Sequence, residues 1–286
     1  MAATFWGEPG KSSIRCETDL APFKPATDIH VVGTARSPAG TPLPSWEARI
    51  RVGTIGKTVR LTGPRSWRRS LVGFWQLESP RPVSSIELRQ ELAFGGVKES
   101  RGRFHAFEEN PFGRGYSTDC VDGVLPAPQI ESLEDPIGRP GKSYAPQVLG
   151  PLAPVCLSRR EKAGTFDKDW EESKWPLMPD DFDYGFFNSA DGDLVADPYL
   201  IGDEPCELKG LLPAARVATR LPGIRPFVIA RQRSGAILPH AAPLDTVVFD
   251  LDRAIVNLTW RACVSLQPPV RVLECRAVMP SELTHG

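Results

Sequence analysis

Two groups of carboxylates lie close together in the chain. Asp180, Asp181 and Asp183 form the first, and Asp191, Asp193 and Asp197 the second. A pair of facing carboxylates is the minimal equipment for cleaving a glycosidic bond, one as acid and one as nucleophile or base. Asp181 and Asp183 are the pair that a carbohydrate-active enzyme would use. Asp191-Gly192-Asp193 has the look of part of a calcium loop, but it lacks the twelve-residue spacing and closing glutamate of an EF-hand. The plainer reading is that these short acids cap turns and accept backbone amides.

Other chemistry finds little footing. His30, His105, His240 and His285 are scattered, and none makes a local metal motif. His105, between Phe104 and Phe107, reads as a packed loop histidine. Cys16, Cys120, Cys156, Cys206, Cys263 and Cys275 include no zinc-like spacing. They are too dilute for a disulfide scaffold and read as free thiols in a reducing compartment. Cys263 and Cys275 sit in strand-like apolar segments and read as small core residues. The sequence has no GxSxG, GxGxxG or GxxxxGK[ST], so no cofactor is implied, nucleotide or otherwise.

The charges balance, with 34 Lys and Arg against 35 Asp and Glu. A dedicated nucleic-acid binder carries a basic excess, so no nucleic-acid partner is expected. Arg65, Arg68 and Arg69 form a local basic group that reads as a solvated loop. No apolar run is long enough to span a bilayer, and no membrane partner is expected. The first residues, Met1 to Gly7, lack the basic and apolar regions of a signal peptide, so a cytoplasmic protein is expected.

The elements that must position any site are strands. The chain has 29 prolines and 25 glycines. Together they are about a fifth of it, against about an eighth in ordinary proteins, which disfavours long helices. Ile29, Val31 and Val32 form a β-branched run. Trp46, Ala48, Ile50 and Val52 alternate with polar residues, Gly53–Gly56 reads as a turn, and Val59 and Leu61 continue a hairpin. Ile86, Leu88, Leu92 and Phe94 alternate again. Late strands are expected at 227–230, 246–249, 256–262 and 270–279, with 256–262 half-buried through Val256, Leu258, Trp260 and Ala262. A short helical turn is expected near Asp167–Lys174, capped by Asp167. No strand–helix–strand alternation is visible. The expected fold is mainly β, an antiparallel sandwich or distorted barrel with little helix. A single domain over 1–286 has strands at about 20–96, irregular Pro- and aromatic-rich loops at about 97–200, and strands again at about 201–280.

The central loops carry too many aromatics for a disordered linker. Glu109-Asn110-Pro111-Phe112-Gly113-Arg114-Gly115-Tyr116 and the stretch from Ala163 to Asn188 fix backbone geometry and present aromatics. Aromatic residues and arginine are enriched where proteins bind proteins. Candidate binding residues are Phe94, Asn110, Phe112, Arg114, Tyr116, Phe166, Trp170, Trp175, Phe182 and Phe187. The alternative is that the loops pack on themselves.

These segments resemble a known family. Lys24-Pro25-Ala26-Thr27-Asp28, Val31-Val32-Gly33, Arg51-Val52-Gly53, Phe94-Gly95-Gly96, Glu109 to Gly115 and Leu125-Pro126 stand in order. Ala163-Gly164-Thr165-Phe166-Asp167, Pro179-Asp180-Asp181-Phe182-Asp183, Phe187-Asn188, Leu244-Asp245-Thr246-Val247 and Leu258, Trp260 and Arg261 follow. The set resembles the bacterial family numbered 2169 among the domains of unknown function, over about 20–265. Departures fall at Leu88–Leu92 and Val155–Ser158, where the family carries more aromatic steps. The resemblance implies an accessory role in type VI secretion. It points to a non-enzymatic cytoplasmic adaptor or chaperone that binds a PAAR-type effector and helps load it onto the valine–glycine-repeat spike protein. The family offers no catalytic residues to carry over. The rivals are the carbohydrate-active enzyme and a structural subunit of a secretion assembly, which would show a long exposed edge strand or a large apolar patch.

Overall fold

The computed structural model describes residues 3–18, 20–70, 73–120 and 122–278. Met279 and His285 lie outside the described residues. Nine strands build the centre of the molecule: β1 (Thr27–Val32), β2 (Ser45–Val52), β3 (Ile55–Thr62), β4 (Ile130–Glu131), β5 (Val195–Ala196), β6 (Pro205–Lys209), β7 (Arg216–Arg220), β8 (Leu244–Asp250) and β9 (Ile255–Trp260). They form a five-stranded sheet, β4-β3-β2-β6-β7, and a four-stranded sheet, β5-β1-β8-β9.

Period-two patterning dictates which side chains meet. In β2, Trp46, Ala48, Ile50 and Val52 are buried while Glu47 and Arg51 face outward. The hairpin turn is tighter than the four residues expected. Val52 pairs with Ile55 across Gly53–Thr54, so Ile55 and Gly56 belong to β3. Ile29 and Val31 of β1 and Val247 and Phe249 of β8 join Ile50, Val52, Val59, Leu61, Cys206 and Leu208 in one core. That shared core makes the two sheets a β-sandwich. No barrel closes among the described residues.

β1 and β8 pair in parallel, in a fold otherwise dominated by antiparallel pairs. Every residue of β1 is buried, as expected of a parallel strand covered on both faces. The short Phe94–Gly95 and Arg114–Gly115 strands pair in parallel too.

The alternation through 86–94 does not make one strand. A 3-10 turn at Gln90–Leu92 interrupts it, although Ile86, Leu88, Leu92 and Phe94 are all buried. β9 ends at Trp260, and Val256 is 39 % exposed. It is the outer strand of its sheet, so its inward pattern meets only part of the core.

A separate three-stranded sheet comprises Arg225–Gln232, Ile237–Ala241 and Val270–Val278. Its two outer strands are mostly exposed, while the middle strand, Arg225–Gln232, is half-buried with Ala230 and Gln232 buried. Cys275 in this sheet and Cys263 before it are therefore exposed, not the core residues expected. His105 is also exposed, on a small hairpin of Val97–Ser100 and Arg103–Ala106. All six cysteines are free, and burial pushes the Cys156 and Cys206 thiols up to about 11. Among the described residues no helix is long and apolar enough to cross a membrane.

The central loops are ordered by burial. Val148, Leu149, Leu152, Ala153 and Cys156 enter the main core. Trp67, Phe94, Leu125, Ala127, Ile137 and Tyr144 form a second one. One side of the sandwich is closed by the 3-10 turn Gly192–Leu194. Leu194 is fully buried there, and Lys57 Nζ holds Asp191 at 2.6 Å and Asp193 at 3.2 Å. The acids that suggested a calcium loop thus serve a lysine.

Candidate protein-binding surface

Three brackets, each joining segments distant in sequence, position the candidate residues. The first supports the Phe94 turn. Gly95 lies at φ +145°, and a Cβ there would sit 2.1 Å from the Asn110 carbonyl oxygen. Only glycine allows the two chains to cross so closely. Asn110 Nδ2 donates to the carbonyls of Gln90 (2.9 Å) and Phe94 (3.0 Å). Phe94 meets Phe107 and Tyr144 edge-on. Phe94 and Asn110 are 1 % and 0 % exposed, so neither is available to a partner. Their role is to pack and to satisfy carbonyls. Arg114 is half-buried rather than exposed, because its Nε donates to the Glu91 carbonyl at 2.6 Å. Phe112 leans on the main core and Tyr116 on the second one.

The second bracket carries the exposed aromatics. Helix α1 (Leu157–Arg160) leads to helix α2 (Lys168–Ser173), which Asp167 caps by accepting the Trp170 amide at 2.9 Å. Gly164 sits at φ +74°, and a Cβ there would lie 2.9 Å from Asp181 Oδ1. Asp181 accepts both the amide (2.9 Å) and the hydroxyl (2.7 Å) of Thr165. Those two bonds hold its carboxyl below the usual carboxylate range. Asp183 accepts the Gly185 amide at 2.7 Å. The pair that a glycosidase would need is thus engaged in tying loops.

On this frame Phe182 contacts Tyr184, Phe186 and Phe187 at 5.5–5.6 Å between ring centroids, and Tyr184 contacts Phe23 at 5.8 Å. Phe166 packs edge-on to Trp170, whose Nε1 donates to the Leu177 carbonyl. Trp170, Phe182 and Phe187 are half-buried, and the Thr165–Asp181 contact joins the loop of the first to the loop of the other two. Trp175 (69 %), Leu177 (69 %) and Phe166 (54 %) stand exposed on these joined loops, with Met178 and Tyr184, and Phe23 is added through its contact with Tyr184. Of the ten expected residues, five therefore share this platform. Phe23, Leu177, Met178 and Tyr184 were not among them. Three of these lie inside the dense 175–187 stretch. Phe23 is far away in sequence and only the fold brings it in.

The third bracket is a buried polar lock. Lys24 Nζ lies 2.9 Å from both Asp28 Oδ2 and Thr246 Oγ1. Asp28 also accepts Asn188 Nδ2 and the Ser189 and Ala190 amides. Burial opposes ionisation of Asp28, but Lys24, His30 and the Ser189 amide outweigh it and hold its carboxyl low. Burial pushes His30 down to about 4. Ser189, His30 and Asp28 are not a nucleophilic relay. Ser189 Oγ (3.2 Å) and Asp28 Oδ2 (3.8 Å) both face His30 Nε2, and Ser189 is fully buried. A relay places the base between its two partners through different nitrogens. Arg159 completes the lock, reaching Glu17 and the carbonyls of Leu152 and Phe186, with its guanidinium over the Phe186 ring.

The Arg65 group is neither a basic patch nor the solvated loop expected, because Ser66–Arg69 is a strand with Trp67 fully buried. Arg65 turns inward onto Glu131 at 2.8 Å, and Arg68 pairs with Glu78. Among the described residues no group of three His, Cys, Asp or Glu side chains is placed to hold a metal ion.

Several of the sequence segments that resemble a known family form the brackets: Phe94–Gly96 with Glu109–Gly115, Ala163–Asp167 with Pro179–Asp183, and Lys24–Asp28 with Phe187–Asn188 and Leu244–Val247. No curated protein and no solved structure matches the chain. A family model described as "Uncharacterized protein conserved in bacteria" (DUF2169) matches residues 1–261, and the chain belongs to that family.

Proposed function

We propose that the protein is a non-enzymatic adaptor or chaperone of a type VI secretion system. It binds a PAAR-type effector in the cytoplasm and helps load it onto the valine–glycine-repeat spike protein. The secretion role is what the resemblance of the family motifs suggests. The observation that carries protein binding is the exposed aromatic platform of Phe166, Trp175, Leu177 and Tyr184. Large apolar side chains at such exposure mark binding sites when they cluster. The Thr165–Asp181 bracket holds them in place before a partner arrives. Less ordering entropy is then lost on binding.

The test is co-purification of the full chain with a PAAR-type effector from a neighbouring gene, alone and with the spike protein. The adaptor reading expects a stable complex, and expects effector solubility and spike loading to fall when the protein is absent. Unchanged solubility and loading would defeat it.

A structural subunit is the second reading. It is favoured by the outlying three-stranded sheet, where Ile237, Leu238, Val272 and Leu273 are exposed. Co-sedimentation with assembled secretion components, rather than with the effector, would select it.

A further inference from the structure

The stretch that carries the exposed aromatics is also strongly acidic. From Lys162 to Tyr184 the chain holds seven aspartates and glutamates against three lysines, a net charge of −4, while the whole chain carries −1. All seven acidic residues are exposed. Among the described residues only Asp180 has a basic partner, Lys174 at 2.7 Å. Asp167, Asp181 and Asp183 accept backbone amides and the Thr165 hydroxyl, which are neutral groups and leave the charges standing. Asp169, Glu171 and Glu172 belong to α2 and have no ion pair. Arg159 and Arg160, just before the stretch, are held by Glu17 and Glu108 and do not offset it.

The contacts that build the platform keep these acids close to its apolar side chains. Asp181 is bonded to Thr165, the neighbour of Phe166, and Asp183 directly precedes Tyr184. The Trp175 amide donates to the Trp170 carbonyl at 3.1 Å, so Trp175 stays against the end of α2. Lys174, beside Trp175, is tied to Asp180. Charges this close act together, because screening at physiological salt takes about 8 Å to set in.

We infer that the platform takes a protein segment whose apolar side chains are flanked by lysine or arginine. The exposed Trp175, Leu177 and Phe166 supply the apolar contact. The uncompensated carboxylates around them attract basic flanks and repel acidic ones. The same field argues against the other surfaces that accept exposed aromatics. Peripheral membrane sites set such side chains among Lys and Arg, which are drawn to anionic lipid. Nucleic acid needs cations for the same reason. The inference rests on the reading of the platform as a protein-binding surface, and adds the chemistry of the partner.

The test uses the full chain and an end-blocked peptide of leucines with a pair of lysines at each end. A second peptide carries glutamates in place of the lysines. Binding is followed by fluorescence anisotropy, and the site by hydrogen exchange. The expected result is saturable binding of the lysine peptide, with slowed exchange within 162–187, and binding of the glutamate peptide weaker by about tenfold or more. Raising salt from about 50 to 500 mM should weaken the lysine peptide about tenfold. Glu171→Lys with Glu172→Lys should do the same while the thermal melt stays unchanged, and Glu171→Gln with Glu172→Gln, which only removes the charges, should cost about threefold. Equal binding of the two peptides, no binding of either, or protection outside 162–187 would overturn the inference. So would binding of the chain to phosphatidylglycerol vesicles that Trp175→Ala abolishes. An effector that co-purifies and is lost with Trp175→Ala, yet ignores salt and both Glu171–Glu172 double variants, would overturn the inference and leave the adaptor reading standing. Lysine-peptide binding at the platform with no effector bound would sustain the inference and defeat the adaptor reading.

Discussion

Thr165 gives both its amide and its hydroxyl to the single carboxylate of Asp181, at 2.9 and 2.7 Å. Sixteen residues separate the two in sequence. Their junction sets the spacing between the Phe166 and Phe182 loops, and so the shape of the aromatic platform.

Protonation should open this junction. The Asp181 carboxyl is held below its ordinary value, 3.8, so its contribution is complete above that pH and is lost as pH falls through the lower folded value. Hydrogen exchange at the Thr165 amide should accelerate under acid while β2 and β3 stay protected. Asp181→Asn should show the faster exchange already at neutral pH. Equal exchange in variant and parent would refute the role given to this contact.

The buried Lys24–Asp28 pair should be costly to break from one side. Both side chains are almost fully buried. Lys24→Met leaves Asp28 without its cation and should lower stability by about 3–5 kcal/mol. Urea unfolding measures it, and a loss below 1 kcal/mol would show that the amides around Asp28 suffice alone.

His30 should make stability depend on pH in mild acid. Its folded value, about 4, lies below the ordinary 6.5, so the unfolded chain takes up a proton first. Stability is therefore unaffected above about 6.5 and falls as pH drops toward 4, by about 3 kcal/mol in all. Unfolding midpoints across that window should slope for the parent and flatten for His30→Gln. A parallel slope in the variant would assign the effect elsewhere.

Asn110 and Trp175 should separate stability from binding. Asn110→Ala strands two buried carbonyls and should cost about 2–3 kcal/mol. Trp175→Ala, at an exposed site, should change stability by no more than about 0.5 kcal/mol. Under the adaptor reading Trp175→Ala should still weaken effector binding about tenfold or more. Thermal melts and a pull-down of the effector measure the two.

Much of this architecture was legible because alternation reports burial directly. β2 and β3 followed from it, and so did the Asp167 cap, whose signal is local. What alternation cannot report is the identity of a strand's neighbour. The parallel union of β1 with β8 was invisible for that reason. Cys275 misled for a related one, since an apolar alternating strand looks the same whether or not a second layer covers it. Asn110 and Phe94 were correctly singled out as unusual, but density of special residues marks tight backbone crossing as readily as a binding surface. Phe23 carried no signal in its own segment, because the ring it meets lies about 160 residues away.

The position of β1 bears on the order in which the molecule is made. Its two sheet neighbours are β5 and β8, which begin at Val195 and Leu244. The hairpin of β2 and β3 is local and can zip as it leaves the ribosome, but β1 waits for most of the chain to be synthesised. Until then Ile29, Val31 and Val32 have no sheet to enter. A ribosome stalled before Val195 would hold an N-terminal segment whose apolar strand has neither of its sheet neighbours, so the four-stranded sheet is completed only late in translation.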